Sequence, residues 1–232
     1  MIMKRTNYLI ICAMQEELDG ILAKERNYKK LSDDLYLVDS ENYSLFLMLS
    51  GIGKVASSCK LSKILTNYVI DHIINVGVAG SISPKLKVFD TLIATKCAYH
   101  DVDVTAFGYE YGQMAQMPLY YECDSKLLDK IDKNRLTLQT GLIISGDSFI
   151  DTKNIKSTFY EKFDDPLACD MESAAICQVA YMNHIPVNII RTISDSVGYI
   201  VNNKDQYEHN LKKACSVAGD LISELILDSK IA

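Results

Sequence analysis

The chain has 232 residues, of which 48% are hydrophobic and 23% are charged, a composition typical of a globular protein and not of a disordered one. Lysine and arginine number 24 against 30 aspartates and glutamates, which gives a formal net charge of −6. Because an acidic chain without a cluster of basic residues lacks a surface for the nucleic-acid backbone, we expect no nucleic-acid partner.

Short runs rich in β-branched residues predict strands along the whole chain. The predicted strands are Tyr8–Ala13, Leu45–Leu49, His72–Val78, Thr91–Thr95, Leu142–Ser145, Leu167–Asp170 and Val187–Ser194. Two other segments carry apolar residues at the i, i+3, i+4, i+7 spacing of a helix with one buried stripe. These residues are Leu61, Ile64, Leu65 and Tyr68 in the first segment, and Ala218, Leu221, Ile222 and Leu225 in a closing helix from about Gln206 to Leu227.

Strands that alternate with helices predict an α/β fold with a mixed, mostly parallel central β-sheet flanked by helices on both faces. No linker, repeat or low-complexity segment divides the chain, so we expect one domain over residues 1–232. The longest uncharged stretch, 173–190, is interrupted by polar residues and a proline, so we expect no membrane-spanning helix. The apolar run 8–14 is short and is followed at once by Glu16 and Glu17, which favours a core strand over a signal peptide.

Seven cysteines are scattered along the chain. An odd number of cysteines, most of them in apolar surroundings, is typical of buried thiols in a reduced cytoplasmic protein. There is no Cys-x-x-Cys pair and the four histidines are dispersed, so the sequence has no zinc pattern and we expect no metal site.

The segment 100–112 combines acidic and aromatic residues. His100, Asp101 and Asp103 match no spacing of metal ligands, which favours a structured loop. The aromatic stretch Ala106–Gly112 predicts an interface or a pocket wall, because tyrosine buries a large area while keeping a polar tip.

In sheets of this class, ligands bind where loops leave the carboxyl ends of the strands. Four clusters of small and polar residues follow predicted strands: Ala13–Glu17, Ser50–Lys54, Gly77–Gly80, and Asp170–Glu172 together with Ser194–Asp195. Acidic residues occur in three of these clusters and histidine in none of them. The pattern therefore predicts acid–base chemistry by carboxylates rather than a Ser-His-Asp triad or a metal site.

Each carboxylate at a strand end also has a purely structural interpretation. Glu16 and Glu17 begin a predicted helix, where acidic residues complement the helix dipole. Asp170 and Glu172 stand in the same position before a later helix. Asp195 either caps a helix or lies at the mouth of a ligand pocket, and the sequence leaves both readings open.

The glycine-rich turn after the second predicted strand resembles two nucleotide-binding motifs. Gly51, Gly53 and Ala56 fit G-x-G-x-x-A, but the acidic partner should end the next strand, whereas Asp71 begins one. The Walker A alternative fails because Val55 stands where that motif needs serine or threonine. The pattern favours a turn in which glycine permits close backbone approach, and we expect no cofactor.

Six blocks of sequence occur together in one order: Ala13–Glu17, Ser50–Lys54, Tyr99–Gln113, Gly141–Ile150, Asp170–Glu172 and Arg191–Asp195. In this order they closely resemble the 5′-methylthioadenosine/S-adenosylhomocysteine nucleosidases of the nucleoside phosphorylase superfamily. The resemblance extends from about Tyr8 to Leu227. Its most specific blocks are the third and the fourth, while the turn of the second block is shared more widely in the superfamily.

The resemblance implies hydrolysis of the N-glycosidic bond of 5′-methylthioadenosine, S-adenosylhomocysteine and 5′-deoxyadenosine, which releases adenine. Bond cleavage leaves an oxocarbenium-like ribose and an anionic adenine. By the family pattern, Glu17 would activate the attacking water, and Asp195, oriented by Ser194, would donate a proton to adenine N7. Glu172 would bind the ribose hydroxyls and stabilise positive charge on the sugar.

The resemblance also implies which residues line the nucleoside pocket. Phe149 would stack on the adenine, and the backbone of Ile150 would bind the edge of the base. The other expected pocket residues are Met14, Ile52, Val78, Ala79, Gly80, Met171 and Arg191. The two methionines would lie against the ribose and Ile52 against the alkylthio group. Val104 and Phe107 would reach into a partner subunit's pocket, so the functional unit would be a homodimer.

Several positions depart from the family pattern. Asp170 stands where a glutamate is usual, and Val78 stands where a serine hydroxyl helps to order the water and the base. Ala115 replaces a proline of the partner-facing loop. A phenylalanine that covers the substrate has no clear counterpart, and Tyr199 or Tyr207 would substitute for it.

Three other functions remain as alternatives at the level of sequence. A nucleoside phosphorylase would need basic ligands for phosphate, for which Arg191 and Lys54 are the candidates. A weakly catalytic nucleoside-binding protein would account for Val78 and the missing phenylalanine. A dinucleotide-dependent oxidoreductase would depend on the fingerprint at Gly51.

Overall fold

The computed structural model describes residues 5–25, 27–126, 138–197 and 202–226. Its strands are β1 Thr6–Cys12, β2 Tyr28–Ser32, β3 Leu35–Asp39, β4 Tyr43–Leu49, β5 His72–Ser81, β6 Thr91–Tyr99, β7 Tyr121–Glu122, β8 Leu138–Ser145, β9 Pro166–Asp170 and β10 Val187–Ser196. Its α-helices are α1 Gln15–Leu22, α2 Lys54–Asn67, α3 Thr158–Lys162, α4 Ser173–Met182 and α5 Asn203–Ile226. A 3-10 turn covers Thr105–Phe107.

All ten strands belong to one mixed sheet, part of which closes on itself. Strands β5, β10, β6, β8 and β9 form a ring, because β10 pairs with both β5 and β6 while β9 pairs with both β8 and β5. From β5 the sheet continues through β1, β4 and β3 to β2 at its edge. The longest ladders, β5 with β10, β6 with β8 and β1 with β4, are parallel. The predicted α/β class with a mixed, mostly parallel sheet is confirmed.

Helices cover the sheet on both faces. Helices α2 and α4 pack together over one apolar cluster, to which they contribute residues such as Leu61 and Ala175. Helices α1 and α5 pack together over a second cluster, to which they contribute residues such as Leu18 and Leu221. Because each helix buries one apolar stripe, the two faces of the sheet become two hydrophobic layers.

The seven predicted strands all occur, and the structure adds β2, β3 and β7. Strands β2 and β3 form an antiparallel hairpin at the edge of the sheet. Strand β2 is mostly exposed and carries Lys29 and Lys30, so its sequence lacks the apolar alternation that predicts a strand. Strand β7 has only two residues and pairs with the far half of β6, beyond the predicted end at Thr95.

The predicted helices also occur, with shifted ends. The apolar stripe that begins at Leu61 lies in α2, which ends at Asn67. The closing helix α5 begins three residues before the predicted Gln206, and the predicted end at Leu227 lies outside the described residues. Among the described residues, no helix is long and apolar enough to cross a membrane.

Candidate active site

The carboxyl ends of β1, β5, β9 and β10 surround a cavity of about 190 Å³. Strand pairing brings distant segments together here, because Gly80 on β5 pairs with Asp195 on one side and with Cys169 on the other. The cavity is lined by Ala13, Met14, Glu17, Ile52, Val78, Ala79, Gly80, Phe149, Cys169, Asp170, Met171, Glu172, Ser194, Asp195 and Tyr207. Residues from all four clusters that the sequence predicts at strand ends thus meet at one site, although the cluster Ser50–Lys54 contributes only Ile52.

Glu17 lies in the first turn of α1, and its buried side chain forms part of the cavity wall. Its Oε2 accepts hydrogen bonds from the backbone N–H groups of Ala13 at 2.8 Å and Met14 at 3.1 Å. Its Oε1 accepts a 3.0 Å bond from the N–H of Val78. Burial raises the pKa of Glu17, while the positive charge of Arg191 and these backbone donors oppose the shift. Two backbone donors that follow β1 and one backbone donor on β5 therefore hold the carboxylate in one orientation.

Gly77 makes room for this carboxylate. A Cβ atom at position 77 would lie 2.4 Å from Oε1 of Glu17, well inside van der Waals contact. Only glycine fits there without displacing the Glu17 side chain. Glycine is therefore required at position 77 to leave room for Glu17, which the sequence pattern alone did not indicate.

Glu172 is the last residue before α4 and is 7% exposed. Its Oε1 accepts a 2.8 Å hydrogen bond from the backbone N–H of Gly53. Burial, and next the negative charge of Asp170, raise the pKa of Glu172 to about 8, against the opposing effects of Arg191 and the Gly53 amide. At pH 7 a carboxyl group with this pKa is mostly protonated.

The glycine turn that binds Glu172 is fixed by two aspartates. Gly53 has φ of 92°, a left-handed conformation that favours glycine. The Lys54 N–H donates to Oδ1 of Asp147 at 2.8 Å, and the Lys54 ammonium binds Asp101 at 2.6 Å. The Asp147 N–H in turn donates to Asp101 at 2.9 Å. This turn therefore presents a backbone amide to a carboxylate, and its lysine is already paired.

Asp195, at the end of β10, is 1% exposed and is held by two side-chain donors. The Ser194 hydroxyl donates to Oδ1 at 2.7 Å, and Nδ2 of Asn203 donates to Oδ2 at 2.8 Å. Burial raises the pKa of Asp195, and these two hydrogen bonds oppose the shift. Of the two readings that the sequence left open, the structure places Asp195 at the cavity.

Arg191 is not among the residues that line the cavity. Its guanidinium is buried and forms an ion pair with Asp170, with Nη2 at 2.8 Å and Nε at 2.9 Å from Oδ2. It also donates to the hydroxyl of Ser173 at 2.9 Å and to the side chain of Asn75. Arg191 was expected to touch a ligand, but its guanidinium contacts other residues of the protein instead. Through Asp170 and Ser173 it fixes the start of α4.

Apolar and aromatic side chains form the rim of the cavity. Phe149 is 42% exposed and meets Tyr207 edge to face, with ring centroids 5.7 Å apart. The Tyr207 hydroxyl donates to the sulfur of Met14 at 3.2 Å. Ile52 is 54% exposed at the same rim. Of the two tyrosines expected to replace the covering phenylalanine, Tyr207 lines the cavity, and Tyr199 lies outside the described residues.

The remaining predicted site residues lie near the cavity or away from it. Ile150 lines a smaller hollow of about 40 Å³, which shares Phe149 and Asp195 with the main cavity. Phe107 ends the 3-10 turn and Val104 directly precedes it, and neither residue lines either space. Phe107 is 80% exposed, which leaves its ring free for a contact outside this chain.

Sequence reasoning missed several residues that hold the site together. Asn203, at the start of α5, binds both Asp195 and the carbonyl of Ile150, at 2.8 and 3.0 Å. Asp147 and its partner Asp101 fix the glycine turn through contacts some 46 to 93 residues apart. No local pattern signals such contacts, because each depends on where distant loops meet. Asp170 is not among the missed residues, because its position at a strand end is a local signal.

Comparison with known proteins agrees with this fold and this site. Residues 7–227 match the family model described as the phosphorylase superfamily, which defines the class of this protein. A relative from Buchnera aphidicola subsp. Baizongia pistaciae, named 5′-methylthioadenosine/S-adenosylhomocysteine nucleosidase, is 38% identical over 212 residues. The match covers 88% of this chain and 83% of the relative. The chain therefore belongs to the 5′-methylthioadenosine/S-adenosylhomocysteine nucleosidases within that superfamily.

Solved structures of proteins with this name have the same fold. A putative nucleosidase from Borrelia burgdorferi B31, bound to adenine, is 34% identical and superposes with a TM-score of 0.88, covering 95% of this chain and 99% of that one. The nucleosidase from S. pneumoniae with the transition-state inhibitor MT-ImmA is 32% identical, with a TM-score of 0.87 over 95% of this chain and 98% of that one.

Proposed function

We propose that this chain hydrolyses the N-glycosidic bond of 5′-methylthioadenosine, S-adenosylhomocysteine and 5′-deoxyadenosine, releasing adenine and the 5′-substituted ribose. The observation that carries the proposal is one cavity lined by four buried carboxyl side chains, of which Asp170 is paired with Arg191 while Glu17, Glu172 and Asp195 have no basic side chain as a partner in the described structure. Family membership supports the first two substrates, and 5′-deoxyadenosine has the same adenine and ribose with a smaller 5′-substituent. Such a reaction would belong to methionine salvage.

Glu17 is proposed as the base that takes a proton from the attacking water. Three backbone N–H groups and the charge of Arg191 favour its ionised form, which a base needs. Burial raises its pKa and so increases its affinity for the proton it receives. Val78 lacks the hydroxyl of the family serine, but its backbone N–H still binds Glu17, and this argues against a merely binding protein.

Asp195 is proposed as the acid that protonates adenine N7 as the bond to ribose breaks. A free aspartic acid with a pKa near 3.9 is protonated in only about one molecule in a thousand at pH 7. Burial raises the pKa of Asp195 and so increases that fraction. The water loses one proton to Glu17 and the adenine gains one from Asp195, so each turnover leaves Glu17 protonated and Asp195 ionised. Glu17 then releases its proton to solvent and Asp195 takes one up, which restores both groups for the next turnover.

Glu172 is proposed to accept hydrogen bonds from the ribose hydroxyls. As the ribose gains positive charge, a carboxylate at this position becomes favourable, because opposite charges in a water-excluded cavity attract strongly. Phe149 would stack on adenine, with Ile150 at the edge of the base. The other proposed contacts are Met14, Ile52, Val78, Ala79, Gly80, Met171 and Ser194, while Arg191 acts through Asp170.

Water rather than phosphate is the proposed acceptor. A phosphate dianion would need basic or multiple N–H donors beside the sugar. The two candidates, Arg191 and Lys54, are already bound to Asp170 and Asp101 respectively. The described residues that line the cavity include four carboxyl side chains and no lysine or arginine, so the cavity offers phosphate no cationic ligand.

The functional unit is proposed to be a homodimer in the cytoplasm. The exposed ring of Phe107 and the nearby Val104 would complete the pocket of the partner subunit. The seven cysteines are all free thiols in this structure, in keeping with a reducing compartment. We propose that residues 1–232 form one nucleosidase domain.

The test is to incubate the purified protein with each nucleoside, with and without phosphate, and to quantify adenine by chromatography. Adenine release that is independent of phosphate, together with free 5′-substituted ribose, is the expected result. Release that requires phosphate and yields a ribose 1-phosphate would assign the chain to the phosphorylases instead. Tight nucleoside binding without adenine release would make it a binding protein.

A further inference from the structure

Three cysteine side chains converge on the side of the sheet that α4 covers. Cys97 lies on β6, Cys123 follows β7 directly, and Cys177 lies on α4. Their sulfur atoms all lie within 4.8 Å of one another. Among the described residues, this is the only group of histidine, cysteine, aspartate or glutamate side chains close enough to hold one metal ion. We call these residues the three-cysteine cluster.

The three-cysteine cluster has its own route to solvent, separate from the nucleoside cavity. A cavity of about 340 Å³ is lined by Cys123 and Cys177, and it shares no lining residue with the nucleoside cavity. Glu122 and Asp124 also line it, and none of the described lining residues is lysine or arginine. The local charge therefore favours entry of a cation.

A buried hydroxyl group at the same cavity lacks a partner. Tyr121, which lines this cavity, is 2% exposed, and its hydroxyl has no hydrogen-bond partner among the described residues. Such a group costs free energy unless it meets a water or a ligand. The Tyr121 hydroxyl is therefore available to a water or a ligand in the cavity that Cys123 and Cys177 also line.

The spacing of the three sulfur atoms fits one bound metal ion. A thiolate is the form of cysteine that binds metals. Three sulfurs around a cation at about 2.3 Å would lie about 4 Å apart in a planar trigonal site. That spacing fits within the observed limit of 4.8 Å.

We propose that the three-cysteine cluster is a binding site for a soft monovalent cation, copper(I), coordinated by the sulfurs of Cys97, Cys123 and Cys177. Thiolate ligands select soft cations over hard ones. Three thiolates without a fourth protein ligand match the low coordination number of copper(I) better than the four ligands of a structural zinc site. Each bound thiol releases its proton to solvent, and neither the metal nor the sulfurs change oxidation state.

The site would tie α4 to β6 and to the residue after β7. Helix α4 begins directly after Glu172, so the cluster lies on the same helix whose start forms part of the nucleoside cavity. Binding to the folded state alone would raise the thermal stability of the protein. The site is independent of the proposed hydrolysis, since it shares no residue with it.

The test uses reduced protein in the absence of oxygen, titrated with copper(I) against a chromogenic copper(I) chelator. Cys59 is exposed on α2, so the Cys59→Ser variant serves as the reference that removes the accessible competing thiol. We expect one equivalent to bind in the wild type and in Cys59→Ser, and none in Cys123→Ser, with a rise in melting temperature only where copper binds. Magnesium ions should leave the melting temperature unchanged.

X-ray absorption on the copper-loaded Cys59→Ser protein adds a measurement that does not depend on how the other variants fold. Three sulfur neighbours at about 2.3 Å are expected. Nitrogen or oxygen neighbours in place of sulfur would overturn the proposal. So would copper binding that survives in a folded Cys123→Ser protein, or the absence of any binding in the wild type.

Discussion

The backbone N–H of Gly53 donates a 2.8 Å hydrogen bond to Oε1 of Glu172, a residue 119 positions further along the chain. This contact joins the glycine turn after β4 to the start of α4, on either side of the nucleoside cavity. The turn can present that amide because Gly53 adopts a left-handed conformation that favours glycine. A motif that resembles a phosphate-binding loop thus serves here to hold a carboxylate.

Replacing Asp195 by asparagine should abolish hydrolysis while leaving nucleoside binding intact. Asparagine keeps the shape and an oxygen that can accept from Ser194, but it has no proton to give to the leaving adenine. We expect adenine release to fall by about 10²–10⁴-fold, with binding measured by calorimetry within a few fold of wild type. Asp165→Asn, at an exposed position, is the control. Turnover near the wild-type rate would remove Asp195 from the mechanism.

Replacing Glu17 by glutamine should remove the base. The amide cannot take a proton from water, so adenine release is expected to fall by about 10²–10⁴-fold without loss of the fold. The neighbouring Glu16 is exposed in the same helical turn, and Glu16→Gln is therefore a matched control that should retain activity. Equal losses in both variants would point to a general effect on α1 rather than to a catalytic role.

The raised pKa of Glu172 should make stability depend on pH. A carboxyl group with a pKa of about 8 in the folded state and 4.5 in the unfolded state gains a proton on folding. Its contribution is complete below pH 4.5 and is lost as pH rises through 8, by up to about 5 kcal/mol. Glu172→Gln should flatten the pH dependence of the unfolding free energy between pH 5 and 8, measured by urea denaturation.

The exposed residue Glu208 supplies the control for this measurement. It forms only a surface pair with Lys204, so Glu208→Gln should keep the wild-type pH dependence. A Glu172→Gln protein with an unchanged slope would mean that Glu172 titrates near its ordinary pKa in the folded state.

Replacing Arg191 by methionine should destabilise the protein by about 3–5 kcal/mol, because it leaves the buried carboxylate of Asp170 without its counter-ion. Lys85→Met breaks an exposed pair with Asp165 and should cost less than about 1 kcal/mol. Urea denaturation of both variants gives the comparison. Similar small losses in both would indicate that the buried pair contributes no more to stability than the exposed one.

Replacing Phe107 by alanine should weaken dimer formation and lower kcat/KM for the nucleoside, if the ring enters the partner's pocket as proposed. We expect at least a tenfold loss of kcat/KM, since a buried aromatic ring contributes on the order of 2 kcal/mol or more to an interface. Light scattering reports the mass in solution. Val69→Ala, at another exposed apolar residue, should change neither quantity.

Local sequence patterns predicted the main strands but not the edge hairpin. The core strands are mostly apolar because both faces of the sheet are covered, so composition marks them. Strand β2 is recognisable only from its pairing at the sheet edge, since Lys29 and Lys30 interrupt any apolar pattern. Strand β7 depends likewise on its pairing with β6. Strand β3 does carry an apolar run, with Leu35, Leu37 and Val38, but it is not among the predicted strands.

The sequence by itself determined that acidic residues, with no histidine among them, stand at the predicted strand ends, because this is a local feature. Only the tertiary structure decided which of these acids line the cavity and which of them is paired with a base. Glu17, Asp170, Glu172 and Asp195 line it, and Asp170 is paired with Arg191, which was expected to touch a ligand. These outcomes depend on strand order and burial, which bring together groups more than a hundred residues apart and raise the pKa of those left without water.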